Sequence, residues 1–306
     1  MRKDCQRADE TGLPEKRRAL IFLMKLALIV AALLISSSVL GFGYYYFEIS
    51  QPKSYAKNVV AIVEDGNNAV FAVDASRIAT STDYQAAYDI LSQKRRSLGS
   101  AETQLAELKT PRKMKETDVF LSESLDFFIS VLDDAEKRAD FLAGISELRK
   151  EIANLFASFQ SRGLGAPPTV REIQNAGRDG AGKIKTAGKT AFQKEEVQIK
   201  GVSFGSLKSD WDKNSQNLEV LLSLILSLNP NLSNEKAQDA FTTEQKKQGE
   251  KAMGEFVEYQ KSLESLLNDN PAVDVLNFSY LGSGKQTELS ERSIRFFQTI
   301  QGLKIF

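Results

Sequence analysis

The chain has 306 residues, with 40 basic and 40 acidic side chains, no histidine and one cysteine, and 42% of its residues are hydrophobic. This apolar content suits one or two packed domains and is too high for a disordered tail. Without histidine and with one cysteine, the composition excludes Ser-His-Asp and Cys-His catalysis, a disulfide within the chain and a Cys/His zinc site built from this chain alone. The net charge of zero gives no general reason to bind nucleic acid.

An apolar segment near the amino terminus predicts a membrane-spanning helix. Residues 26–47 carry no charged side chain, and at about 1.5 Å per residue they span about 33 Å, close to the ~30 Å of a hydrocarbon core. Lys25 marks the inner edge, because its ammonium group can reach the headgroups while its stem stays in the apolar layer. Tyr44, Tyr45 and Tyr46 mark the outer edge, because amphipathic rings favour the interface.

The charges around this segment predict its orientation. Residues 1–25 form a basic tail with seven basic and four acidic side chains, and Arg17 and Arg18 lie close to the apolar segment. By the positive-inside rule the tail faces the cytoplasm and the rest of the chain lies outside. The apolar segment is longer than that of an ordinary signal peptide and follows a long charged leader, so an uncleaved signal-anchor is favoured over a cleaved signal peptide.

Residues 48–162 predict a first helical block, because apolar residues recur every three or four positions in three successive rows. Helix starts are predicted at Ser50 and at Ser81 or Thr82. The third row has a mean spacing of about 3.45 residues, nearer the 3.5 repeat of a coiled coil than 3.6. It predicts one helix from about 112 to 161, about 75 Å long, and therefore an elongated bundle.

Residues 163–205 interrupt the pattern and predict either a mobile linker or a weak helix, since each interior glycine costs about 0.5–1 kcal/mol relative to alanine. Residues 177–190 approach the spacing of a phosphate-binding P-loop. Ile184 stands where that loop needs a hydroxyl, and no predicted strand precedes it, so a flexible basic segment is favoured over a nucleotide site. Residues 197–204 alternate and predict a short strand. We expect the basic stretch to lie along the acidic helix before it.

Residues 206–306 predict a second helical block. Its dense apolar run, residues 218–228, is too short to span a bilayer and predicts a buried core helix, so the chain crosses the membrane once. Asp210, Asp212 and Asn214 match the first three ligand positions of an EF-hand loop. The loop's glycine and its bidentate glutamate are missing, so the start of a helix is favoured over a calcium site.

Three kinds of candidate site remain, and each has a structural interpretation that we favour. Serine and lysine residues with SxxK spacing lack the SDN and KTG companion motifs, so they are interpreted as helix caps rather than nucleophiles. Carboxylates at 133–140 and 195–196 are interpreted as a solvated helix face rather than a glycosidase pair. Four aromatic residues on the apolar rows are interpreted as core rather than as a ligand cage: Tyr84, Tyr88, Trp211 and Tyr259.

The sequence therefore predicts an all-α fold with a single transmembrane helix and an elongated extracytoplasmic helical bundle with coiled-coil-like packing. We expect a non-enzymatic interaction or scaffolding module of the cell envelope, in the cell membrane. The alternative is an extracytoplasmic small-molecule sensor acting through a partner protein, and an envelope hydrolase ranks third. The expected partners are the lipid bilayer, through residues 26–47, and a protein or a second copy, through helical faces. No catalytic, metal or cofactor-binding residue and no nucleic acid is expected.

Overall fold

The computed structural model describes residues 15–70, 78, 80, 82–159, 169–194, 196–197, 199–200, 202–232 and 234–305. These residues are all-helical and contain no β-strand, which confirms the predicted secondary-structure class. The helices, in chain order, are α1 (Glu15–Tyr45), α2 (Gln51–Val70), α3 (Tyr84–Ala106), α4 (Lys115–Phe159), α5 (Val170–Phe192), α6 (Phe204–Ser227), α7 (Asn234–Asp239), α8 (Thr243–Asp269), α9 (Ala272–Leu276) and α10 (Ser283–Lys304).

A single π-helical turn, Tyr46–Ser50, joins α1 to α2 without a break in the helix. In this turn the N–H of Gln51 donates to the carbonyl of Tyr46, five residues back. Pro52 has no N–H, and in an α-helix its ring would clash with the carbonyl of Glu48, so a wider turn just before it relieves both problems. The predicted helix start at Ser50 is therefore wrong.

The start of α3 also differs from the prediction. Its N-cap is Asp83, whose carboxylate accepts a hydrogen bond from the N–H of Ala86 at 3.2 Å. The predicted caps at Ser81 or Thr82 lie one or two residues too early. A carboxylate at the N-cap both accepts the free N–H groups and interacts favourably with the helix dipole.

The central helix is α4, whose 45 residues extend about 68 Å. A 3₁₀ turn, Arg112–Met114, directly precedes it. The helix predicted from about 112 to 161 is therefore confirmed, apart from residues 160–161, which lie outside the described part. Every predicted core position of the third row from Leu121 to Leu155 is buried, and Phe159 is half-buried. Helices α3 and α5 pack along α4, and α8, α9 and α10 also contact it.

The glycine-rich stretch folds as a regular helix, α5, which packs against both α4 and α6. A capping box of Thr169 and Glu172 starts it. Two of its glycines lie where another helix comes very close: an added Cβ would be 2.6 Å from Leu155 at Gly180 and 2.1 Å from Trp211 at Gly188. Of the two alternatives predicted for this stretch, a helix or a mobile linker, the helix is thus correct over residues 170–192. Residues 160–168 lie outside the described part.

The predicted short strand at 197–204 is wrong. Ile199 and Val202 form only an isolated antiparallel bridge, and α6 begins at Phe204. Val197 and Ile199 are instead buried in the helical core. The local alternation that suggested a strand arises because alternate side chains of this connection point into that core.

A single hydrophobic cluster includes residues of α2 to α6 and of α8 to α10, and therefore of both predicted helical blocks. Phe128 of α4 and Phe296 of α10 pack edge to face with ring centroids 5.5 Å apart. The hydroxyl of Tyr84 lies 2.8 Å from the carbonyl oxygen of Leu267 and 2.8 Å from that of Asn270, which links α3 to the end of α8. In the run 218–228, Leu218 is buried and the other apolar side chains are half-buried, so this segment is only partly core.

Candidate functional site

The second half of α1, from Val30 onward, exposes its large apolar side chains. Between Val30 and Phe42, seven large apolar side chains are exposed, and Leu40 reaches 73%. Soluble proteins bury the apolar side chains of a core helix, and they rarely expose a contiguous apolar surface of this size. Helix α1, with its continuation into α2, is the one helix among the described residues that is long and apolar enough to span a membrane.

The predicted interface residues lie at opposite ends of this helix. Lys25, Arg17 and Arg18 belong to the amino-terminal part of α1, whereas Tyr44 and Tyr45 are its last two residues and Tyr46 opens the π turn. All three tyrosines are exposed. At 1.5 Å per residue, Lys25 and Tyr45 lie about 30 Å apart along the axis, which matches a hydrocarbon core.

Polar contacts hold the end of this helix against the bundle. The carboxylate of Glu48, in the π turn, pairs with the ammonium of Lys113, in the 3₁₀ turn before α4. This hydrogen bond raises the pKa of Lys113. About two turns further on, the hydroxyl of Tyr55 donates to Asp118, which also accepts from Thr110 at 2.8 Å.

Apolar packing continues this attachment along α2. Tyr55, Ala56, Val59 and Val63 are buried, and α2 packs against α3 and α10. Because the helix is continuous through the π turn, the contacts of Glu48 and of α2 attach the end of α1 to the bundle.

The segment that approached a P-loop lies inside α5. Gly177, Gly182 and Lys183 lie in the interior of this helix, where backbone N–H groups bond within the helix. A P-loop needs those N–H groups free and curved around a phosphate. Gly182 and Lys183 instead line an open groove of about 700 Å³ beside Glu147 and Glu151 of α4.

The EF-hand candidates are also helical. Asp210, Asp212 and Asn214 lie inside α6, so the predicted helix start there is wrong, since α6 begins at Phe204. Residues two apart on a helix point about 200° apart, which keeps the two carboxylates from converging. Asn214 is buried and donates to the carbonyl of Asp210 at 2.8 Å. In the described part of the chain, no group of three or more His, Cys, Asp or Glu side chains is arranged to hold a metal ion.

The acidic face of α4 makes ion pairs with its neighbours. Asp140 pairs with Lys194 at 2.6 Å, just beyond α5, which agrees with the expectation that the basic stretch lies along the acidic helix. Glu136 pairs with Arg95 of α3 at 2.5 Å. Glu136 is buried, whereas a solvated carboxylate was predicted. The sequence indicates this buried ion pair only through Arg95, because a cation that interrupts the apolar row of α3 needs an acidic partner in the core.

The aromatic residues pack as core, as predicted. Tyr84, Trp211 and Tyr259 are buried and Tyr88 is half-buried. The Trp211 ring lies 6.1 Å from that of Phe192 and 6.4 Å from that of Tyr259.

A polar cavity between α4 and the start of α10 was not predicted. It has a volume of about 470 Å³, and Arg138 and Tyr280 are among its lining residues. The Arg138 guanidinium carbon is 4.0 Å from the centroid of the Tyr280 ring. Burial lowers the pKa of Arg138 and raises that of Tyr280. Arg138 directly precedes Ala139 of the apolar row, which places it at the edge of the core. This position is the only feature of the sequence that indicates the cavity.

Comparison with protein-family models, with curated proteins and with solved structures found no match to this chain. Its function is therefore inferred from the contacts described above.

Proposed function

We propose that this chain is a membrane-anchored, non-enzymatic interaction or scaffolding module of a cell envelope. Residues 26–47 cross the bilayer once, the tail of residues 1–25 lies in the cytoplasm, and the bundle lies outside. The observation that carries the proposal is the exposure of seven large apolar side chains between Val30 and Phe42. Transfer of these side chains from water into lipid is favourable by on the order of 10 kcal/mol.

The charges and the tyrosines support the orientation. The tail carries seven basic side chains, and positively charged segments beside a span stay in the cytoplasm. The tyrosines at the other end suit the outer interface. Glu48, directly after the span, pairs with Lys113 of the bundle, so the bundle begins where the headgroups would lie.

The shape of the bundle favours a binding role. We propose coiled-coil-like packing of α4 with α3 and α5, supported by the spacing of about 3.45 residues along α4. Long helices attached firmly to the membrane present extended faces to a protein partner or to a second copy of the chain. Binding is favoured over catalysis because the acids of α4 form ion pairs with lysine and arginine, for example Asp140 with Lys194.

A labelling experiment tests the topology with the chain's own cysteine. Cys5 lies in the tail and is the single cysteine of the chain. Intact cells expressing the full chain are treated with a membrane-impermeant maleimide before and after permeabilisation. We expect Cys5 to react only after permeabilisation.

A matched variant places the probe on the bundle. In Cys5→Ser/Ser100→Cys the cysteine stands on an exposed position of α3, and we expect it to react in intact cells. Cys5→Ser alone serves as the blank. The reverse pattern, with Cys5 labelled and the α3 position protected, would overturn the proposal, and a mature chain well below 33.9 kDa would show a cleaved signal peptide instead.

In situ cross-linking tests the interaction role itself. A cross-linker attached at the same α3 cysteine is expected to trap a reproducible neighbour, either another protein or a second copy. Recovery of the uncross-linked chain alone, under conditions that trap known envelope complexes, would contradict a scaffolding role.

A second candidate function is an extracytoplasmic small-molecule sensor that acts through a partner protein. The polar cavity lined by Arg138 and Tyr280 favours it, because buried polar groups around a cavity are typical of ligand sites. The continuous helix from the bundle into the anchor gives such a sensor a rigid connection to the membrane.

A further inference from the structure

The cavity between α4 and α10 contains two buried hydrogen-bond donors that lack acceptors. Arg138 is only 5% exposed, and its Nη1 atom makes no hydrogen bond with the described residues. The ring of Tyr280 stacks on the same guanidinium, and its hydroxyl also has no hydrogen-bond partner among the described residues. Buried polar groups are nearly always paired in folded proteins, so two adjacent exceptions point to a missing acceptor.

The missing acceptor is expected to be an anion, because one of the two donors is charged. Burying an unpaired guanidinium is costly, and a carboxylate or phosphate group compensates both its charge and its N–H groups. No hydrogen bond or ion pair joins Arg138 to Asp134, one helical turn before it, although the charge of Asp134 acts to raise the pKa of Arg138. The positive charge of Arg138 therefore has no direct counterion among the described residues.

The charges around the cavity are arranged in two layers. Asp134, Lys137, Glu196 and Lys285 line it and are exposed, so two acids and two bases balance each other at the rim. Lys137 also pairs with Asp133 at 3.0 Å. Arg138 lies below them and is buried. The buried charge of the cavity is thus positive, and it lies where the dielectric constant is low and electrostatic interactions are strongest.

The start of α10 adds further donors to the same cavity. Gly282 is the N-cap of this 22-residue helix, lines the cavity, and provides no side-chain cap. The first N–H groups of a helix have no partner within the helix, and its dipole favours an anion at this end. The first turn of α10 contains no acidic residue that would fill this role.

We propose that this cavity binds a small oxyanion, a carboxylate or phosphate group, through Arg138, Tyr280 and the amino end of α10. The proposal goes beyond the membrane-anchored role and does not depend on the orientation of the chain. A planar guanidinium suits two oxygens of one such group. The volume of about 470 Å³ is in the range of small-molecule sites, and the acids at the rim disfavour large polyanions such as nucleic acids.

Thermal unfolding of the full chain in detergent micelles tests the proposal. The melting temperature is followed by circular dichroism while sodium chloride is replaced by sodium phosphate, or by sodium acetate, at constant ionic strength. We expect a saturable rise with at least one of the two anions, because a ligand that binds only the folded state stabilises it. A rise with phosphate alone identifies a phosphate site, and a rise with both identifies a general oxyanion site.

Three variants make the experiment specific. Arg138→Met is expected to weaken the apparent affinity at least about tenfold while still folding, because an apolar side chain of similar length replaces a buried charge. Arg149→Met, on the same helix but in a surface ion pair with Glu264, is the control and is expected to keep the full response. Asp134→Asn is expected to bind the anion more tightly, since it removes a negative charge from the rim.

Two results would overturn the proposal. The first is no saturable response to either anion, or an equal response in Arg138→Met. The second is a lower melting temperature for Asp134→Asn in chloride together with no gain in anion affinity, which would show that Asp134 is the counterion of Arg138 in solution.

Discussion

Gly188 of α5 lies directly against the side chain of Trp211 of α6. A Cβ atom there would lie 2.1 Å from the Trp211 ring, which itself is packed against Phe192 and Tyr259. A rigid indole ring in a packed core has little freedom to move aside. The identity of this residue is therefore decided by a side chain of the next helix, α6, and not by the helical pattern of α5 itself.

Gly188→Ala is predicted to destabilise the fold. Overpacking in a core costs about 1–3 kcal/mol, which exceeds the gain of up to about 1 kcal/mol that alanine brings to a helix interior. Thermal unfolding of the full chain in micelles should show a melting temperature lower by a few degrees. The matched control is Gly182→Ala in the same helix, where an added Cβ meets no atom within 4 Å and the melting temperature should rise slightly. Equal behaviour of the two variants would contradict the packing argument.

At the scale of the element, the environment that α1 needs is indicated by its own exposed apolar surface and not by packing against other helices. Seven of its large apolar side chains between Val30 and Phe42 are exposed, and the helix is long and apolar enough to span a membrane. Helix α5 is the opposite case, since its glycines and lysines predict a poor helix and its packing against α4 and α6 makes it a regular one.

Leu34→Arg is predicted to weaken membrane insertion. Leu34 lies near the middle of the span and is exposed, and an arginine at the centre of a transmembrane helix costs about 2.5–3.5 kcal/mol. The fraction of the chain that remains in carbonate-washed membranes should fall. Ile294→Arg, at an exposed apolar position of α10, is the control and should leave that fraction unchanged. Full retention of Leu34→Arg would argue against α1 as the anchor.

At the scale of the whole molecule, one core connects helices that are far apart in the chain. Its buried tyrosines make this core sensitive to high pH. Burial raises the pKa of Tyr84, Tyr259 and Tyr280, because the charged phenolate is poorly solvated inside the protein. The folded state thus holds these protons at pH values where the unfolded chain has released them.

The bundle is therefore predicted to lose stability above about pH 10. These tyrosines contribute fully to the free energy of unfolding below the unfolded-chain tyrosine pKa of about 10. Above it the unfolded state binds fewer protons than the folded state, so this contribution is lost as the pH rises toward the raised pKa values. The part of the tyrosinate absorbance that comes from these buried tyrosines should appear only together with loss of helical circular dichroism. In denaturant the same tyrosines should ionise near pH 10. Ionisation of all tyrosines near pH 10 with the helices intact would contradict the burial.

The sequence alone determined the features that depend on local pattern. The apolar span follows from an uncharged run of residues. The row from Leu121 to Leu155 and the long helix α4 follow from residue spacing along one helix, and the structure confirms that row and that helix. The tertiary structure alone decided what Gly188, Arg138 and the 197–204 segment do. Each of these depends on a side chain from a distant part of the chain, such as Trp211 or Tyr280, and periodicity carries no information about which helices become neighbours.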